Sequence, residues 1–165
     1  MTTRAAAADD IAAQQPFPAP LIDAPPGWFG KIACLGDFAS RRLDAATRDA
    51  WDRWLSRRMV AMRARDGDAW LEKYLRAPLR YWLQSPERSP EQSPEDDSAR
   101  WHAGTLMPSV DSAGRYFPLV VVQPLARVPA DLRDWFELEA RLGACADASL
   151  NTLAEPAPVE RFDAA

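Results

Sequence analysis

The stretch WHAGTLMPSVDSAGRYFPLVVVQ, residues 101–123, decides the fold, and it predicts a β-hairpin. Two apolar runs flank a polar tip at residues 109–115, in which Asp111 and Gly114 fit the first and fourth positions of a type I turn. The second run, residues 119–122, is apolar and β-branched without alternation, which is typical of a strand covered on both faces. The rest of the chain is therefore expected to pack on this hairpin.

Strands and helices are predicted on both sides of the hairpin. Further strands are expected at residues 28–34 and 79–83, and helices are expected to follow the N-cap residues Asp44, Asp68 and Asp131. Hairpins beside clustered helices, without regular βαβ alternation, indicate an α+β fold. We predict a single domain with a mostly antiparallel central sheet of about four to five strands and helices packed against it.

The first and last helices each carry an apolar side. In the first helix, Arg58 falls on the same arc as Trp51, Trp54 and Met62, so it either extends past the tryptophans to solvent or meets a buried carboxylate. In the last helix, the residues spaced for burial are Leu132, Trp135, Phe136, Leu142, Ala146, Leu150 and Leu153.

Composition divides the chain into segments. Residues 1–26 are rich in Ala and Pro and are predicted to be a disordered tail, residues 27–155 form the α+β domain, and residues 156–165 are predicted to be a frayed C-terminus. Within the domain, residues 85–100 contain three Ser-Pro-Glu repeats and are predicted to form a low-complexity loop. This loop is either a partner-binding or phosphorylatable segment, or a tolerated surface insertion.

Composition and charge also exclude several functional classes. The single histidine, His102, argues against a His-based metal site or a catalytic triad. Cys34 and Cys145 are too few for a disulfide framework and favour a reduced, cytoplasmic setting. Neither a membrane span nor a secretory signal is expected. Basic residues exceed acidic ones over 27–80 and the reverse holds over 81–165, so the two halves are expected to pair with each other rather than with nucleic acid.

The polar residues at predicted strand ends are the best candidates for a site. None of the common nucleotide-binding, hydrolase, redox or zinc-protease motifs occurs in the sequence. The candidates leave three readings open, namely turn stabilisation, partner binding, and catalysis or divalent-cation binding by Asp37 and Asp111. These candidates are Asp37, His102, Ser109, Asp111 and Arg115.

Several of these residues lie in motifs that resemble the TagF family, also called ImpM, of type VI secretion accessory proteins. The matching stretches are Gly-Trp-Phe-Gly-Lys at 27–31, Gly-Asp-Phe at 36–38, Trp-Asp-Arg-Trp-Leu at 51–55, and Pro-Ser-Val-Asp-x-x-Gly-Arg-Tyr-Phe-Pro at 108–118. Two stretches depart from the family pattern, Ala-Cys-Leu at 33–35 and the Ser-Pro-Glu repeat. Some members also continue beyond the last predicted helix.

The resemblance implies a cytoplasmic, non-enzymatic regulator of bacterial type VI secretion. Family members repress assembly or firing of the machine after translation and are linked to its forkhead-associated scaffold protein, and some are fused to a protein phosphatase. We therefore expect the scaffold as partner, with no cofactor, metal or catalytic residue. The partner-binding residues are predicted to be Gly36, Asp37, Ser109, Asp111, Gly114 and Arg115.

Two alternative functions also fit the sequence. The chain is a structural subunit of the machine if Trp51 and Trp54 form an interface rather than core. It is a small carboxylate-dependent hydrolase if Asp37, Asp111 and His102 converge in a cleft.

Overall fold

The computed structural model of the protein describes residues 19–84 and 100–154. These residues form a single α+β domain, as predicted, with one five-stranded antiparallel sheet. The elements in chain order are β1 Gly27–Gly30, β2 Ala39–Arg41, α1 Ala45–Asp66, a 3₁₀ turn Gly67–Ala69, α2 Trp70–Leu75, β3 Arg80–Gln84, β4 Trp101–Met107, β5 Leu119–Leu125 and α3 Leu132–Ala154.

Strand β5 lies at the centre of the sheet, whose strand order is β2-β1-β5-β4-β3. The run 119–122 is buried throughout, which confirms a strand covered on both faces. Val120 and Val122 turn toward α1 and α2, whereas Leu119 and Val121 turn toward α3. The hairpin of β4 and β5 is therefore the core of the fold, with helices on both faces.

Helix α1 packs on the first face through Leu55 and Met59. Its predicted cap is formed, because Asp44 accepts hydrogen bonds from the backbone nitrogen of Thr47 at 2.8 Å and from its hydroxyl at 2.7 Å. Arg58 is exposed and its guanidinium lies 5.1 Å from the centre of the Trp54 ring, so it extends past the tryptophans.

Helix α3 covers the second face, but with a narrower apolar side than the sequence predicted. Its cap is formed as expected, since the Asp131 carboxylate accepts from the backbone nitrogen of Asp134 at 2.9 Å. The sheet contacts come from Leu138, Leu142 and Cys145. Five of the seven side chains predicted to be buried are exposed instead, namely Leu132, Trp135, Phe136, Leu150 and Leu153.

The predicted tail boundary at residue 26 is too late. Leu21 is fully buried against Ala103 and Leu125, and its carbonyl accepts a hydrogen bond from Ala126 at 2.9 Å. The Gln123 amide also donates to the carbonyl of Ala24 at 2.8 Å. The segment from residue 19 is thus part of the domain. The earlier part of the predicted tail, the repeat at 85–99 and the predicted frayed end lie outside the described residues.

Three local predictions are also corrected. Strand β1 ends at Gly30 rather than continuing to Cys34, and β2 was not predicted because it is short, polar and exposed. Asp68 lies within the 3₁₀ turn, and α2 has no side-chain cap. Both cysteines are free thiols. None of the helices within residues 19–84 and 100–154 combines the length and apolar character that a membrane span requires.

Candidate functional site

Two loops and one helical side chain meet at the end of the sheet where β1 and β4 finish. The loop 31–38 joins β1 to β2, the loop 108–118 joins β4 to β5, and Tyr74 reaches them from α2. We call this the tip site and define it by Lys31, Gly36, Asp37, Phe38, Tyr74, Ser109, Asp111, Gly114 and Arg115. The backbone nitrogen of Ser112 donates to the carbonyl of Leu35 at 2.8 Å, which joins the two loops directly.

The Asp111 carboxylate is the centre of the tip site and is buried. One oxygen accepts from the backbone nitrogens of Ala113 at 3.0 Å and Arg115 at 2.9 Å. The other accepts from Nε of Arg115 at 2.8 Å and from Nζ of Lys31, whose side chain is also buried. Burial acts to raise the pKa of Asp111, but the hydrogen bonds from Lys31 and Arg115 outweigh it and hold the pKa well below its usual range.

The turn predicted between Asp111 and Gly114 is formed. The backbone nitrogen of Gly114 donates to the carbonyl of Asp111 at 3.0 Å, and Gly114 has a positive φ of 75°. Asp111 therefore stabilises the turn and pairs with a lysine of the neighbouring loop at the same time, which supports turn stabilisation among the three readings left open by the sequence.

Ser109 connects the same loop to α2 and to Lys31, the residue that follows β1. Its hydroxyl donates to the carbonyl of Lys31 at 2.7 Å, and its backbone nitrogen donates to the Tyr74 hydroxyl at 2.8 Å. The Tyr74 hydroxyl in turn donates to the Ser109 carbonyl at 2.9 Å. Burial raises the pKa of Tyr74, so the phenol keeps the proton that this bond requires.

Substitution of Tyr74 by phenylalanine is expected to lower the free energy of unfolding by about 1–3 kcal/mol. The change leaves the buried nitrogen of Ser109 without its acceptor, and an unpaired buried donor carries this cost. Urea unfolding followed by tryptophan fluorescence measures the difference. Tyr81→Phe is the matched control, because Tyr81 is exposed, and it should change the free energy by less than about 0.5 kcal/mol. Equal effects of the two substitutions would contradict the role given to Tyr74.

The outer side of the tip site is open to solvent. The Arg115 side chain is 55% exposed, its Nη2 donates to the carbonyl of Gly36, and it lies 3.8 Å from the exposed Asp37 carboxylate. Phe38 is 48% exposed, with its ring 4.8 Å from Phe117 and 4.6 Å from Nζ of Lys31. Charged and aromatic side chains are thus exposed together on two loops that hydrogen bonds hold in place.

The six predicted partner-binding residues all lie at the tip site, but at two depths. Ser109 and Asp111 are buried, whereas Gly36, Asp37, Gly114 and Arg115 are exposed. A partner can contact only the second group directly. Ser109 and Asp111 hold the loops in place beneath it.

Three residues of the tip site were not predicted, namely Lys31, Phe38 and Tyr74. A charged residue within the apolar run Trp-Phe-Gly-Lys-Ile-Ala at 28–33 was the available signal for Lys31. Nothing local in the sequence marks the contact of Tyr74 with Ser109, 35 residues away.

The side chains of the hydrolase alternative do not converge. His102 is at the start of β4, five residues before the strand ends at Met107, which is about 16 Å along the strand. Burial lowers the pKa of His102. Asp37 and Asp111 both contact Arg115, which lies between them. Within residues 19–84 and 100–154, no three His, Cys, Asp or Glu side chains group as metal ligands.

The two tryptophans of α1 differ in burial. Trp51 is half-buried, and the centre of its ring lies 4.9 Å from that of Trp82. The Trp54 ring lies edge-on to the Trp51 ring at 5.7 Å, and 39% of the Trp54 surface is exposed. The structural-subunit alternative required both to be exposed, and Trp51 is not.

Comparison with known proteins assigns the chain to a family. The model of the family described as TagF N-terminal domain, type VI secretion system-associated, matches residues 27–165. The chain is also similar to the solved structure of PA0076 from Pseudomonas aeruginosa PAO1, with 34% sequence identity and a TM-score of 0.61. That match covers 84% of this chain and 59% of the Pseudomonas chain. No curated protein matches the sequence.

Proposed function

Because the chain belongs to the family of TagF N-terminal domains associated with type VI secretion, we propose that it represses the secretion machine by binding the machine's forkhead-associated scaffold protein. The repression is post-translational, acts on assembly or firing, and takes place in the cytoplasm. The chain spans 59% of the length of the Pseudomonas protein it matches, so the proposal concerns this domain.

One observation carries the proposal, namely the open outer side of the tip site. Arg115, Asp37 and Phe38 come from two loops and are exposed side by side. Arginine and aromatic side chains are the types that most often dominate binding energy at protein interfaces. The surface they form therefore has the composition of a partner-binding site.

The buried side of the tip site supports the same proposal by fixing these loops. Arg115 is held by Asp111 through its side chain and its backbone nitrogen, and Asp111 is held by Lys31. Side chains that are ordered before binding lose less conformational entropy when the partner arrives. The carboxylate and the lysine are already paired, so their contribution is to positioning rather than to chemistry. This arrangement favours binding over catalysis.

Replacement of Phe38 by alanine is expected to weaken binding to the purified forkhead-associated scaffold about 30-fold, which corresponds to about 2 kcal/mol for an aromatic hot spot. Asp37→Arg should weaken it as well, because it places a second cation beside Arg115. Isothermal titration calorimetry measures both dissociation constants.

Val60→Ala is the control for this experiment, since Val60 is exposed on α1 away from the tip site. It should leave the dissociation constant within about twofold. Asp37 is exposed, so its variant is expected to unfold near the temperature of the unmodified protein, whereas Phe38→Ala loses ring contacts with Phe29 and Phe117 and is expected to unfold at a lower temperature while remaining folded during the titration. Wild-type affinity in both variants would rule out the tip site as the scaffold-binding surface.

A further inference from the structure

Exposed apolar side chains are concentrated along the β3 edge of the sheet. Tyr81 and Leu83 alternate with Trp82 on β3 and project on the face that α3 covers, because their partners on β4 are Thr105 and Ala103. They are 58% and 42% exposed. Large apolar side chains exposed together on one surface indicate an interaction site.

The uncovered flank of α3 adds to the same surface. Cys145 and Ala148 of α3 pack with Trp28 and Ile32 on the β1 side of the sheet. At 100° per residue, the exposed flank lies on the opposite side of the helix and therefore turns toward β3. We define the β3 edge surface as Tyr81, Leu83, Trp135, Phe136, Leu150 and Leu153.

Strand β3 also has an unpaired side. Among residues 19–84 and 100–154 it pairs only with β4, and it is an edge of the sheet. The other edge, β2, has three residues and is largely polar and exposed, which is how edges are normally protected. Strand β3 is longer and has only one charged residue, Arg80. An edge of this kind favours pairing with another strand.

We propose that two copies of the chain associate through β3, strand against antiparallel strand, about a twofold axis at Trp82. The two five-stranded sheets then become one continuous sheet of twice that number of strands. The exposed flanks of the two α3 helices face each other over the joined strands. The tip site shares no residue with this surface, so the inference is independent of the proposed function.

The sequence of β3 is self-complementary in this register. Antiparallel pairing centred on Trp82 uses all five residues of both strands and places Tyr81 opposite Leu83 of the second copy. Aromatic–aliphatic cross-strand pairs of this type are stabilising. Arg80 lies opposite Gln84 of the second copy, so no two like charges are opposed. A second copy of β3 therefore fits this edge without placing like charges opposite each other.

The surface is large enough for a stable dimer. With about 150–250 Å² for a whole aromatic side chain, the exposed fractions of the six side chains amount to on the order of 600 Å² per copy. The backbone of the paired strands adds to this area. Stable interfaces bury about 800 Å² per partner.

Sedimentation equilibrium of the full chain, from about 1 to about 100 µM, tests the proposal. The expected result is a mass that rises to twice that of the chain. Tyr81→Lys combined with Leu83→Lys places four cations around the axis and should weaken association at least 100-fold. Both positions are exposed, so the variant should remain folded. Val60→Lys combined with Val128→Lys is the matched control at exposed positions away from the edge and should leave the dimer intact.

Disulfide trapping tests the register separately. A Tyr81→Cys variant mixed with a Leu83→Cys variant should form a mixed disulfide on oxidation, because directly opposed Cα atoms lie about 4.5–5.5 Å apart, within the range that disulfides span. Arg80→Cys alone should not cross-link to itself. A monomeric mass throughout the concentration range, or a dimer that the paired lysines leave unchanged, would overturn the proposal. If the mixed disulfide forms no faster than a disulfide that involves a Val60→Cys variant, the proposed register is wrong.

Discussion

Replacing Lys31 by methionine is expected to lower the free energy of unfolding by about 3 kcal/mol, at the lower end of the cost of breaking a buried ion pair. Methionine fills similar space but provides no hydrogen bond, so the buried Asp111 carboxylate loses one of its two cations. The lower end applies because Arg115 and the backbone nitrogen of Ala113 still donate to it. For a chain of this length the loss corresponds to a fall of about 10 °C in Tm.

Urea unfolding followed by tryptophan fluorescence provides the measurement. Arg76→Met is the control, because Arg76 pairs with Glu72 at 3.0 Å and both side chains are exposed, at 79% and 62%. Exposed ion pairs contribute about 0–1 kcal/mol, so the control should change stability little. If Lys31→Met costs no more than Arg76→Met, the buried pair does not stabilise the tip site.

The pH dependence of this difference has a definite sign. The folded-state pKa of Asp111 lies below its unfolded value, so the stability it contributes is present above about pH 4 and is lost as the pH falls below that value. Protonated Asp111 no longer attracts Lys31. The difference in stability between the wild type and Lys31→Met should therefore shrink below about pH 4, and a difference that grows there would contradict the assignment.

Gly30→Ala is expected to be the second large effect, with a loss of about 3 kcal/mol or more. Gly30 has a φ of +141°, and a Cβ there would meet the carbonyl of Pro118 on the neighbouring chain segment. Backbone strain of this kind costs about 1–3 kcal/mol, and forcing atoms into a packed site adds a similar amount. Since Gly30 precedes Lys31, the same change is expected to move the lysine away from Asp111.

Thermal unfolding followed by circular dichroism measures this effect. Gly143→Ala is the control with the opposite sign, because Gly143 lies within α3 and a Cβ there has open space. It should raise the free energy of unfolding by about 0.5–1 kcal/mol, as alanine does in a helix interior. A mild effect of Gly30→Ala would show that β1 and the loop at Pro118 can separate without cost.

The elements that local sequence determines were predictable. The uninterrupted apolar run at 119–122 identified the central strand, and Asp44 and Asp131 marked the starts of α1 and α3. In each case the pattern reports a physical requirement of the residues themselves, either burial on both faces or capping of free backbone groups.

The remaining features depend on contacts between distant segments. Leu21 stands in an Ala- and Pro-rich segment, yet it fills a space between Ala103 and Leu125 that only the folded sheet creates. Helical spacing predicted that Trp135 and Phe136 are buried, but α3 packs on the sheet through Leu138, Leu142 and Cys145 and leaves that flank exposed. Lys31 and Asp111 are 80 residues apart, so neither sequence neighbourhood shows the pair.

The pairing of β1 with β5 has a consequence for how the protein is made. Gly27 lies opposite Val122, so β1 cannot pair with β5 during synthesis until most of the domain has left the ribosome. Contacts between such distant residues also slow folding, because a long loop must close before they form. The pair of Lys31 and Asp111 can form only after this closure. The tip site therefore cannot form before both of its loops are present and β1 has paired with β5, and a chain that has not reached this point does not display the surface that we propose engages the scaffold.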